Sequence, residues 1–117
     1  MVKEDYVSFE VAKLLKEKGF DEYCGYYDLK CEYYDYRTYN HKGDDYISAP
    51  THQMAMKWLR KIYGIDIVID ISDPSVKDRK YYCVIWDGNN KSYILDLFNS
   101  YEEACEEAIK YCLENLI

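Results

Sequence analysis

The chain has 117 residues, 15 of them tyrosine, and a net charge of −7 from 22 acids and 15 bases. That length sets one domain over residues 1–117, with room for a core that needs no disulfide or metal staple. The charge argues against a nucleic-acid surface, which needs clustered Lys and Arg, and against anionic membranes. An acidic balance of this kind fits a cytoplasmic protein or a partner for a basic surface.

The charged start MVKEDYVSFE carries no apolar export segment, and no apolar run reaches the roughly 20 residues of a membrane span. The five cysteines are therefore expected to be reduced. The first helix is predicted from Ser8, a good N-cap, to about Lys18, with Val11, Leu14 and Leu15 on one face. Gly19 supplies a left-handed stop, beyond which Phe20 can fold back on the last turn.

Residues 24–36 read CGYYDLKCEYYDY, in which C-x-Y-Y-D occurs twice, seven residues apart. Two short strands are predicted, at 23–28 and 31–37. With Leu29-Lys30 as the loop, Tyr26 faces Tyr33 and Gly25 faces Tyr34. Leu-Lys is a poor two-residue turn, since neither residue favours positive φ. Residues 38–46 read as an exposed loop.

The second helix starts near Ser-Ala-Pro-Thr, with Thr51 as N-cap or Pro50 at the first helical position, and ends at Gly64. Met54, Ala55, Trp58, Leu59 and Ile62 form its expected apolar face. Residues 65–71 then alternate, with Ile65, Ile67, Ile69 and Ile71 on one side and Asp66, Val68 and Asp70 on the other. Two further strands, 80–86 and 92–97, are joined by the hairpin loop Asp87-Gly88-Asn89-Asn90. The third helix opens on a capping box, Ser100 to Glu103, and buries Ala104, Cys105, Ala108, Ile109, Cys112, Leu113 and Leu116. The fold class is α+β: a small antiparallel sheet with three amphipathic helices packed on it, in the order α-ββ-α-βββ-α.

Four chemistries have candidate residues in the chain. A metal site from Cys24, Cys31, His41 and His52 lacks ligand spacing, because C-x6-C is too wide for a zinc knuckle. A Cys-His nucleophile has no cysteine at a helix N-terminus to lower its pKa. The pairs Asp66/Asp70 and Asp44/Asp45 read as solvated faces among 22 acids. No metal and no cofactor is expected. The tyrosine-rich stretch is the one binding candidate, through Tyr26, Tyr27, Tyr33, Tyr34, Tyr36 and Tyr39, with Tyr46 nearby; tyrosine is enriched at interface hot spots. Acids surround these rings, so a protein contact is favoured over base stacking.

Three stretches, VSFEVAKLLKEKGFDEYC, ISAPTHQMAMKWLRKIYGIDIVI and SYEEACEEAIKYCLENLI, together resemble a family of short uncharacterised proteins from gut anaerobic bacteria and their phages or mobile elements. The resemblance spans nearly the whole chain apart from the tyrosine-rich middle. It implies a prokaryotic cytoplasm or infected cell and an accessory role, and it carries no activity or catalytic position to transfer. The expected function is a non-enzymatic protein-interaction module binding an unknown protein partner or itself. The alternative is a small-ligand-binding protein or minor hydrolase using the tyrosine-rich segment. Neither nucleic acid nor membrane is an expected partner.

Overall fold

The computed structural model describes residues 4–39, 45–75 and 77–117. His41 and Asp44, and with them part of the expected loop 38–46, lie outside the described residues. The protein is α+β in the expected order, with one short strand added before the second helix. The elements are α1 (Phe9–Glu17), β1 (Cys24–Tyr27), β2 (Tyr33–Thr38), β3 (Ile47–Ser48), α2 (His52–Tyr63), β4 (Asp66–Ile71), β5 (Tyr81–Trp86), β6 (Ser92–Phe98) and α3 (Tyr101–Asn115). The strands form two antiparallel sheets, β2-β1-β3 and β4-β5-β6. The fold is thin, 46 × 38 × 19 Å.

Local chemistry sets the helix ends. Ser8 caps α1 by accepting the Val11 N–H at 3.2 Å. The Phe20 N–H reaches the Leu15 carbonyl and the Gly19 N–H reaches that of Lys16, with Gly19 at φ +93°. This Schellman stop drops Phe20 into the core against Trp58, ring centres 5.3 Å apart. Thr51, not Pro50, caps α2 by accepting the Met54 N–H. Ser100 caps α3 by accepting from the Glu103 N–H, and Glu103 returns a bond to the Asn99 N–H, one residue ahead of the usual capping-box position.

The buried faces follow the expected periodicities with one correction. Leu15, Leu59, Cys83, Ile85, Ile109, Cys112 and Leu113 are fully buried in one cluster, with Leu14, Ile67 and Ile69 half-buried against it. Ile62 is instead 60% exposed. The buried residues of α2 are His52, Ala55, Met56, Trp58 and Leu59, and Ile62 lies in the last turn, beyond them. Helix α3 is the hub: it lies on one face of β4-β5-β6 and also touches α1 and α2.

The first hairpin differs in register from the expectation. Tyr26 pairs with Tyr34 and Tyr27 with Tyr33, which places Asp28–Glu32 in the loop. Leu29-Lys30 cannot close a two-residue turn. The longer loop puts positive φ at Cys31 (φ 65°) and uses the Asp28 carboxylate to accept the N–H groups of Lys30 and Glu32. Those bonds, Glu32 first, hold the Asp28 carboxyl below its ordinary value. The slip exchanges partners: it is Tyr33, not Tyr34, whose ring crosses Gly25. β3 then pairs with the other edge of β1, at Tyr26–Ser48 and Tyr27–Ile47.

Candidate functional site

The six candidate tyrosines are divided by strand alternation between two faces. On the inner face Tyr27 is buried and donates its hydroxyl to the Val7 carbonyl at 2.7 Å. Burial pushes its pKa up to about 12. Tyr33 stacks on Tyr6, ring centres 3.7 Å apart, and meets the Tyr27 edge. These two rings are core and sheet packing, because the register aims both at α1, where Phe9 also touches Tyr27.

On the outer face Tyr26 stacks on Tyr34 at 5.2 Å and meets the edge of Tyr46 at 4.6 Å. The Tyr34 hydroxyl donates to Glu32 and Asp28, at 3.0 and 3.1 Å, and these bonds push its pKa up to about 12. Tyr39 lies 5.1 Å from Tyr23, ring to ring. Tyr36 is the most open of the six, at 80% exposure, and Tyr34 and Tyr39 are exposed to a lesser degree. Beside these rings Asp28, Leu29, Lys30, Glu32, Tyr34, Asp45 and Tyr46 border an open depression of about 380 Å³.

His52, at the start of α2, holds Glu106 of α3 through Nε2 and Oε1 at 2.9 Å. Glu106 also accepts the Ser8 N–H, so it completes the N-terminus of α1 from another helix. Burial alone would raise the Glu106 carboxyl, but His52 and Ser8 outweigh it and the group ends below its ordinary value. The thiols of Cys24, Cys83, Cys105 and Cys112 are raised by burial, the last two to about 11 and about 12, so they stay protonated at neutral pH. Cys31 is an exposed loop residue. Among the described residues no three His, Cys, Asp or Glu side chains converge to hold a metal ion, and no helix is long and apolar enough to cross a membrane.

Sequence reasoning missed a second surface. α3 covers the inner face of β4-β5-β6; the outer face carries Val68, Val84 and Ile94, paired in one row across the three strands. Val68 is 50% exposed, Ile94 66% and Trp86, at one end of the face, 47%. Leu97, in a β6 bulge at φ 66°, is 72% exposed. Asp66, Asp70 and Asp96 stand on the same side and are exposed. The signal was present at Val68, an apolar residue on the outward side of the isoleucine strand. The row becomes visible only when the register brings Val84 and Ile94 beside it.

Comparison with known proteins gives no match: no family model fits the chain, and no curated protein or solved structure matches it.

Proposed function

We propose that the chain is a non-enzymatic protein-interaction module of a prokaryotic cytoplasm or infected cell, whose contact surface is the outer face of β4-β5-β6. The observation that carries this reading is the row Val68-Val84-Ile94, exposed at Val68 and Ile94 and half-buried at Val84, flanked by exposed Trp86 and Leu97. A contiguous apolar surface on a small domain marks a contact site, whereas singly scattered apolar residues need no explanation. The aspartates around it supply a polar rim, the usual anatomy of a non-obligate interface.

The test compares wild type with Ile94→Asp and with the pair Tyr34→Ser/Tyr36→Ser. Ile94 is exposed, so its change should leave the melting temperature within about 2–4 °C. Association, read both as sedimentation of the pure chain and as proteins captured from the native host, should be lost in Ile94→Asp and retained in the tyrosine pair. Unchanged association in a folded Ile94→Asp variant contradicts the reading.

A further inference from the structure

We propose that the partner of this face is a second copy of the chain, docked through the outer side of α2, so that molecules join head to tail. The inference rests on the interaction reading above and names the occupant of that same face. A face-to-face pair of identical sheets is disfavoured on charge. It would set Asp66, Asp70 and Asp96 of one molecule around an apolar centre already ringed by the same three acids of the other. No outward strand position of this face is Lys or Arg. What fits is an apolar ridge with a basic rim.

The chain carries such a ridge. Ile62 stands 60% exposed on α2, next to half-buried Met54 and the edge of Trp58. Lys57 and Lys61, one helical turn apart, flank it, and Arg60 is exposed beside them. This helix face forms one wall of a shallow depression of about 250 Å³, to which Glu22 is the acidic contributor alongside Lys57 and Lys61. The ion pairs His52–Glu106 and Lys110–Glu10 involve none of Lys57, Lys61, Asp66, Asp70 and Asp96. The outer strands of a three-stranded sheet lie roughly 10 Å apart, about one helix diameter. One helix therefore covers the Val68-Val84-Ile94 row, with Lys57 and Lys61 along one edge of it, over the aspartates of a single outer strand, Asp66 and Asp70 of β4. The face and the ridge share no residue, so one molecule can use both. The contact is heterologous, so it builds a ring or an open chain of more than two molecules rather than a closed two-fold dimer.

The experiment blocks each half separately. Sedimentation equilibrium of wild type should give an average mass that rises with concentration beyond the dimer. Ile94→Asp keeps the ridge and spoils the face; Ile62→Glu keeps the face and spoils the ridge. Each alone should sediment as a monomer. Mixed in equal amounts they should form a 1:1 dimer and nothing larger, because one intact face meets one intact ridge. Lys57→Glu/Lys61→Glu, confined to exposed positions, replaces Ile62→Glu if that variant is unfolded by circular dichroism, and should weaken association at least tenfold. A mixture that stays monomeric, a monomeric wild type, or an Ile62→Glu chain that still self-associates overturns the proposal. If the wild type is monomeric yet loses a captured host protein on Ile94→Asp, the head-to-tail contact is wrong and the interaction reading stands. If capture and sedimentation are both indifferent to Ile94→Asp, the reading itself fails.

Discussion

The two three-stranded sheets spend their outer faces differently. On β2-β1-β3 the rings answer one another: Tyr26, Tyr34 and Tyr46 pack together, and the Tyr34 hydroxyl is held by Asp28 and Glu32. On β4-β5-β6 the outward row Val68-Val84-Ile94 is aliphatic, has no polar tip to satisfy, and is exposed at Val68 and Ile94. The contrast teaches that an unusual composition is a poor guide to an unused surface. A tyrosine closes its own contacts with a ring edge and a hydroxyl. An exposed Val or Ile can gain only by being covered.

The largest effect should come from the covered side of the second sheet. Ile109→Ala removes a fully buried side chain from α3 and should cost about 2–5 kcal/mol in a denaturant melt. A cost under about 1 kcal/mol would mean that α3 does not hold this sheet, and the inner–outer distinction would fail.

The first sheet can be divided by single atoms. Tyr27→Phe deletes the hydroxyl bonded to the Val7 carbonyl and should cost about 1–3 kcal/mol. Tyr34→Phe, on the other face, deletes an exposed hydroxyl and should change stability by no more than about 0.5 kcal/mol. Equal losses at the two positions would break the claim that alternate tyrosines do different work.

The node that fixes the three helices sets a pH dependence. Glu106→Ala should cost about 1–3 kcal/mol at neutral pH through the lost contacts to His52 and Ser8. Glu106 ionises more readily folded than unfolded, where its ordinary value is 4.5. Its contribution is therefore complete above that pH and is lost as pH falls through the lower folded value. Melts of wild type and variant should converge in acid; a gap that widens below pH 4.5 would contradict the assignment.

Smallest is the strain at the bulge. Leu97 holds φ 66° with its side chain in solvent, so Leu97→Gly should be neutral or stabilising by about 1 kcal/mol. A clear loss would show that the Leu97 side chain is packed.

Much of the fold was legible because it is written in local rules. Ser8, Thr51 and Ser100 announce their helices by capping chemistry, Gly19 announces a stop, and the spacing of Leu15, Leu59 and Ile109 marks the core. The hairpin register was not legible. It turns on whether Cys31 takes positive φ and whether the Asp28 carboxylate captures two N–H groups, and a strand pattern of period two cannot distinguish a slip of one residue when both faces carry tyrosine. The division into two sheets was equally hidden, since nothing in the strands states which edges meet. The outer row failed for the same reason: Val68, Val84 and Ile94 are remote in sequence, and each alone is an ordinary surface residue. Glu106 read as one more acid in the first half of α3. Its partners come from α1 and α2.

The most direct test of the contrast between the sheets is carbene footprinting of the native chain at increasing concentration, read residue by residue by mass spectrometry. At high dilution Ile94, Leu97, Trp86 and Tyr36 should all label strongly, as their exposure requires. As concentration rises, labelling of Ile94 and Trp86 on the face, and of Ile62 on α2, should fall together, while Tyr36 stays labelled. Protection of Tyr36 with Ile94 unchanged, or an Ile94 already protected at high dilution, would contradict the account.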